Sequence, residues 1–267
     1  MEQLTIVKVG GAIVESEDSL NKLLSKFSSI PGHKLLVHGG GRSATKMAES
    51  LSITQTMIGG RRVTDAETLK VVTMVYGGLV NKHIVALLQA KGVNALGLTG
   101  ADLNLIQSHK RPLKKVKMED GSIQEVDYGF VGDVDKVNAG ILANLIAQGV
   151  VPVLSPLTHD CQGSMLNTNA DTIASETAIA LAKYFDVSLM YCFEKNGVLL
   201  DANEDNSVIQ SITKAEFAEL VSKGIVQGGM LPKLENSFSA IDAGVKTVII
   251  TNANNIDITD AGTRLSR

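Results

Sequence analysis

Residues 35–43 read LLVHGGGRS, an apolar run that passes straight into three glycines. A short apolar run is the pattern of a buried strand, and glycines at its end let backbone N–H groups approach a ligand with no Cβ in the way. Three devices use such a triplet. His38-Gly39-Gly40-Gly41 has the form of an esterase oxyanion loop, but that chemistry needs a G-x-S-x-G elbow further on, and the chain has none. Gly39 to Ala44 also fits the dinucleotide fingerprint G-x-G-x-x-A. That fingerprint opens a first strand–helix unit and is answered about 20 residues later by an acid closing a second strand. Here it sits on the second unit, and Asp65 follows Gly59-Gly60-Arg61-Arg62-Val63-Thr64, which is no apolar strand. A Walker G-x-x-x-x-G-K-[ST] is also missing. The remaining device is a phosphate cradle of another type.

The surrounding pattern sets the fold. Leu4–Val9, Lys34–Val37, Asn94–Leu98, Val150–Leu154, Ser188–Phe193 and Lys246–Thr251 read as buried strands. Between them, Ser19–Ser29, Ser43–Leu51, Ala66–Gln89, Val134–Gln148, Ala170–Tyr184, Lys214–Lys223 and Lys233–Ala243 read as helices. This alternation predicts an α/β protein, a three-layer αβα sandwich around an open, mostly parallel central sheet. Ser108–Tyr128 breaks the alternation and reads as an inserted hairpin turning at Glu119-Asp120-Gly121. The chain reads as one unit of two lobes, residues 1–172 and 173–267.

Composition narrows the partners. With 267 residues, 44% apolar, 20% charged and a net charge of −3, the chain has no overall basic field for nucleic acid. The basic cluster of Lys110, Arg111, Lys114, Lys115 and Lys117 reads as a solvated hairpin face. Cys161 and Cys192 are too few for a disulfide framework or a zinc site, and the five histidines suggest no metal ligand set. No signal-peptide pattern opens the sequence, and no stretch reaches the uninterrupted apolar length of a membrane span. These features predict a cytoplasmic protein whose partners are small molecules, with no nucleic acid and no membrane.

Lys8 supports the cradle. A lysine inside Thr5-Ile6-Val7-Lys8-Val9, a strand expected to be buried on both faces, needs an anionic partner, because an unpaired buried ammonium costs several kcal/mol. The alternative is that it snorkels out at the strand end. Gly10-Gly11 follows it, so two strand ends are glycine-rich.

Six stretches then occur in one order: Lys8-Val9-Gly10-Gly11, His38-Gly39-Gly40-Gly41, Arg62-Val63-Thr64, Asn167-Thr168-Asn169-Ala170-Asp171, Gly197-Val198-Leu199, and Gly228-Gly229-Met230 with Lys233. Together they cover nearly the whole chain and resemble the amino acid kinase family, in particular its branch acting on acylated glutamate. The resemblance implies ATP-dependent phosphorylation of the side-chain carboxylate of an N-acylated L-glutamate, N-acetyl-L-glutamate foremost, in the second step of arginine biosynthesis. It implies Lys8 and Lys233 as transition-state lysines, Asp171 as the carboxylate that holds both, and Gly11 and Gly40 as N–H donors to the moving phosphoryl. Gly40, Gly41, Arg62 and Asn167 would hold the acylglutamate. Lys8, Gly10, Gly11, Phe193, Glu194, Gly197, Val198, Val226, Gly228, Gly229, Met230 and Lys233 would bind ATP. Mg²⁺ would ride on the ATP phosphates without a protein metal site. His38 would pack structurally beneath the glycine loop.

Two positions depart from the family pattern. Glu194 stands where relatives carry aspartate, and Arg61 where they carry an apolar residue near the acyl group. A cation there favours an anionic acyl group, so N-succinyl-L-glutamate is an alternative substrate; Arg61 turned to solvent or paired with an acid is the other reading. Arginine-regulated relatives use an extra N-terminal helix to build hexamers. Only Met1-Glu2-Gln3 precedes the first strand here, so the expectation is a homodimer insensitive to arginine. Two rivals remain: a non-catalytic sensor of amino acid or nucleotide, and a kinase for another small acid such as carbamate.

Overall fold

β1 (Gln3–Val9) lies at the middle of the sheet, and its side chains alternate between two cores. Leu4 and Ile6 enter one core, and Val7 and Val9 enter the other. The computed structural model describes residues 1–117, 121–201, 203–227, 230–258 and 260–267. α1 (Gly11–Glu15), α2 (Glu17–Ser29), β2 (His33–His38) and α3 (Gly41–Ser50) follow β1. A ribbon of β3 (Met57–Ile58) and β4 (Arg61–Arg62) leads into α4 (Ala66–Val72). A π-helical segment, Thr73–Val80, joins α4 to α5 (Asn81–Gln89) in one continuous helix.

After β5 (Ala95–Leu98), the chain builds β6 (Ile106–Lys110), β7 (Lys114–Lys117), β8 (Ile123–Val126) and β9 (Gly132–Val137). α6 (Ala139–Ala147), β10 (Val151–Leu154), β11 (Leu157–His159), β12 (Met165–Asn167) and α7 (Ala170–Leu181) come next. The last elements are β13 (Asp186–Phe193), β14 (Ser211–Thr213), α8 (Lys214–Ser222), α9 (Met230–Asp242), β15 (Thr247–Asn252) and β16 (Thr263–Ser266).

Eight strands form the central sheet in the order β14-β16-β15-β13-β1-β2-β10-β5. All of its pairings are parallel except β15 with β16. Helices cover both faces: the π segment, α2, α3 and α5 over the Val7 core, and α6, α7 and α9 over the Leu4 core. Chain order reverses across β1, which has β2 on one side and β13 on the other. In such sheets the carboxyl ends of the strands at the reversal form the ligand crevice. Gly10, Gly39 and Glu194 are the residues that leave those three ends.

The six strands expected from sequence all form, and Ala66–Gln89 is one helix as expected. Three expectations need correction. Residues 134–137 are strand, not helix: Val134 and Val137 have helical spacing, but β9 pairs antiparallel with β6 to build a second sheet, β12-β11-β6-β9. The insert expected over Ser108–Tyr128 is shorter, with β7 pairing β8 while residues 108–110 belong to β6. Glu119 and Asp120 of its turn lie outside the described residues, and Gly121 has φ +83°. Finally, Ala66–Gln89 is long and apolar enough to span a membrane by length and composition, against the sequence reading. Val71, Val72, Val75, Ile84 and Leu88 of this helix pack in the Val7 core.

Candidate active site

Lys8 follows the parity of Leu4 and Ile6 and therefore points toward α7. The residue is 7% exposed, so its ammonium needs a counter-charge close by. Asp171, in the first turn of α7, supplies it: Lys8 Nζ lies 2.6 Å from Asp171 Oδ1. Asn169 caps α7, its side-chain oxygen accepting from the N–H groups of Asp171 (2.7 Å) and Thr172 (3.3 Å). The Tyr191 hydroxyl donates to the Asp171 carbonyl at 3.4 Å. The strand end and the helix start are thus tied together around one ion pair.

Lys233 reaches the same place from α9. Its Nζ lies 3.8 Å from the centroid of the Phe193 ring, and Lys8 Nζ lies 5.7 Å from that ring. Burial holds the Lys233 ammonium below the usual lysine range; Asp171 opposes the shift and Lys8 adds to it. Lys8 pairs with the carboxylate, and Lys233 feels the charge of Asp171 without an ion pair to it, which leaves net positive charge in the crevice.

The glycine loops close the other side. A Cβ on Gly11 would lie 3.7, 3.8 and 4.0 Å from the backbone nitrogens of Gly41, Gly40 and Arg42. Three nitrogens at the start of α3 therefore converge on the space in front of Gly11. Among the described residues, neither the Gly40 nor the Gly41 N–H donates to a backbone carbonyl. Unpaired N–H groups at a helix start, beside buried lysines, form a site for an anion.

A cavity of about 240 Å³ opens on the α7 side of this loop, lined by Gly40, Gly41, Arg61, Arg62, Arg111 and Asn167 among others. Arg62 is fixed by the first turn of α3: Nη2 donates to Gly41 O and Thr45 Oγ1, both at 2.8 Å, and Nη1 donates to Gln55. Its remaining donors, Nε–H and one Nη1–H, are what it can offer a carboxylate. Asn167 is oriented by a 3.0 Å bond from Nδ2 to Thr64 Oγ1. Arg61 borders the same cavity, and no acid among the described residues lies within ion-pairing distance of it.

A second cleft, of about 510 Å³, lies across Gly41 and is lined by Lys8, Gly10, Gly11, Phe193, Glu194, Gly197, Met230 and Lys233 with others. Glu194 is exposed and faces Arg42 at 3.9 Å. Val198 and Val226, expected at the nucleotide, are buried in the Leu4 core. Gly228 and Gly229 lie outside the described residues.

Sequence reasoning missed Arg111 and Tyr76. Arg111 sits in the basic cluster read as a solvated face, yet its side chain is largely buried and pairs with Asp133 at 2.5 Å. Tyr76 lies inside a long apolar helix and gives no signal in the sequence. Its ring packs on Gly40, where a Cβ would come within 3.0 Å of it.

Known proteins resemble this chain in sequence and in fold. The model of the amino acid kinase family matches residues 3–252. An acetylglutamate kinase of Phocaeicola vulgatus is 69% identical over 256 residues, 96% of each chain. One from Bacteroides thetaiotaomicron is 65% identical, covering 100% of this chain and 99% of its own. Among solved structures, carbamate kinase from Giardia lamblia bound to AMP-PNP shares the fold, with a TM-score of 0.67, 15% identity, and 100% and 98% of the two chains covered. With the family model matched over nearly the whole sequence and relatives this similar, the chain belongs to the amino acid kinase family.

Proposed function

We propose that the chain transfers the γ-phosphoryl group of ATP to the side-chain carboxylate of N-acetyl-L-glutamate, the second step of arginine biosynthesis. The observation that carries this reading is the cleft that Lys8, Lys233, Gly11 and Gly41 line together, with Asp171 paired to Lys8. The kinship with acetylglutamate kinases supports it.

The chemistry asks for nothing more. A carboxylate is ionised at neutral pH, so no general base is required. Its oxygen attacks the γ-phosphorus in line, the bond from phosphorus to the bridging oxygen breaks, and ADP leaves with that electron pair. The product is an acyl phosphate. Catalysis consists of holding two anions together and stabilising the charge on the transferring group. Lys8, Lys233, Gly11 and Gly40 do this, and Asp171 aligns the lysines. Arg62, Asn167, Gly40 and Gly41 hold the acylglutamate in the smaller cavity, within lobe 1–172. Gly10, Phe193, Glu194, Gly197 and Met230 line the nucleotide side, mainly in lobe 173–267. Mg²⁺ would be carried by the ATP phosphates, whose charge it offsets. Asp171 already pairs with Lys8, so its place fits a lysine anchor better than a metal ligand.

The test is incubation with ATP, Mg²⁺, N-acetylglutamate and hydroxylamine. Hydroxamate formation supports the kinase; ATP binding without hydroxamate supports the sensor instead.

A second reading concerns the acyl group. Arg61 is exposed, which fits the solvent-facing reading, but it also borders the substrate cavity with no acidic partner among the described residues, where it could pair with an anionic acyl group such as succinyl. The ratio of kcat/KM for N-succinyl- and N-acetylglutamate decides it. If Arg61 reads the acyl group, Arg61→Leu shifts that ratio toward acetyl by at least about tenfold.

The protein acts in the cytoplasm as a homodimer in this reading. β5 is an edge strand of the central sheet, and Leu96 on it, with Met74 and Leu79 on the adjoining helix, is exposed. An unpaired edge beside apolar side chains favours a second copy. A monomer by light scattering at micromolar concentration overturns the dimer.

A further inference from the structure

His38 is fully buried directly beneath the glycine loop. Its Nδ1 lies 2.7 Å from the carbonyl oxygen of Gly39, the next residue. A carbonyl only accepts, so Nδ1 carries the proton. Nε2 is then an acceptor, and Asn81 Nδ2 lies 3.1 Å from it. The same amide nitrogen donates to Val153 O at 3.0 Å, which identifies it as the NH₂ end. Direction therefore runs one way, from Asn81 to His38 to Gly39. Burial pushes the imidazole pKa down to about 4, so the ring is neutral at physiological pH and keeps both roles.

The Gly39–Gly40 peptide is trans, so its N–H points opposite to its C=O. A carbonyl held toward His38 turns the Gly40 N–H away from His38 and toward the space in front of Gly11, where the other α3 nitrogens also lie. Gly39 N–H is itself held by Val9 O at 2.9 Å. Released from His38, the Gly39–Gly40 peptide can turn over and present a carbonyl oxygen to the anion.

The brace on this loop comes from one segment. Tyr76 and Val80, which pack against Gly40, lie in the π-helical stretch Thr73–Val80, and Asn81 follows it directly. π-Helical turns inside α-helices concentrate at functional sites. Asn81 fits because β5 places Gly97 against it; a Cβ there would collide with Asn81 Oδ1.

We infer that His38 and Asn81 form a positioning relay that aims the Gly40 N–H at the phosphoryl group in transfer. This rests on the kinase reading of the site. Neither residue touches substrate; both act through the loop.

Two variants separate positioning from filling. An asparagine carboxamide reaches about as far as Nδ1, so His38→Asn retains a donor to Gly39 O. A glutamine carboxamide reaches the Nε2 edge, so His38→Gln retains a partner for Asn81 and loses the donor. In the hydroxamate assay, His38→Gln is expected to lose roughly 10²-fold in kcat, the size typical for one oxyanion donor. Both KM values should stay within about threefold, and His38→Asn should recover at least about tenfold of the loss. The imidazole ¹⁵N spectrum of the wild-type protein should show the Nδ1–H tautomer, a readout independent of how the variants fold. The inference is overturned by near-normal kcat in His38→Gln, by a loss confined to KM, by no recovery in His38→Asn, or by an Nε2–H tautomer. A wild type that forms no hydroxamate removes the kinase reading and the inference with it; the other failures leave that reading intact.

Discussion

Asp171→Asn tests the centre of the site, because the substitution preserves shape while deleting the charge. Lys8 Nζ lies 2.6 Å from the carboxylate, and the two side chains are 9% and 26% exposed. At an effective dielectric of about 20, that separation gives roughly 6 kcal/mol of gross attraction. Desolvation offsets much of it, but removing one partner of a buried pair still costs about 3–5 kcal/mol, since the other charge stays behind unpaired. The partial exposure of Asp171 puts the cost at the lower end, about 3 kcal/mol. At about 2 °C per kcal/mol for a domain of this size, melting should fall by roughly 6 °C. Lys8 and Lys233 would then face each other without a counter-ion, so ATP phosphates become their only partner. Saturating MgATP should therefore raise the melting temperature of Asp171→Asn by more than that of wild type, while turnover falls about 10²-fold or more through misplaced lysines. Scanning calorimetry with and without nucleotide, beside the hydroxamate assay, reads all of this. A variant that melts within 1 °C of wild type, to take about the limit of detection, and turns over normally would refute the reasoning.

Gly11→Ala should fold normally, because its Cβ would sit 3.7–4.0 Å from the nearest nitrogens, at ordinary contact distance. That methyl nevertheless occupies the anion's place, so turnover should drop at least about 10²-fold with melting unchanged; retained activity would show that no phosphoryl passes there. His38 sets part of the acid limb of stability. Its folded pKa of about 4 lies below the unfolded value near 6.5, so between these the unfolded chain binds more protons. The stability linked to this ring is fully present above about pH 6.5 and is lost as pH falls toward 4, by about 3 kcal/mol; urea titrations of wild type and His38→Asn should diverge over that window. Burial pushes the Cys192 thiol up to about 12, whereas Cys161 is exposed. A thiol reagent should thus label one cysteine of the native protein quickly and two after unfolding, and mass spectrometry should find the first at Cys161.

Much of this was legible in the chain because parallel strands buried on both faces must be apolar along their whole length. β1, β2, β10 and β13 announce themselves in that way, and the glycines that follow β1 and β2 mark strand ends where backbone meets a ligand. Lys8 was conspicuous for the same reason, as a charge where the pattern allows none. Composition and spacing did not say which acid neutralises it. Asp171 is distant in sequence and looks like ordinary first-turn helix charge; only the packing of α7 against β1 brings it to 2.6 Å. Arg111 and Tyr76 were hidden for an equivalent reason. A basic cluster reads as solvated and an aromatic in an apolar helix reads as core, and only the folded chain turns those two toward the cavity. Residues 134–137 show the limit most clearly: an apolar pair three apart suits a helix, but whether a strand forms is decided by the partner, and β6 waits on the far side of the hairpin. Local pattern records what each residue would bury, whereas long-range pairing decides what it is buried against.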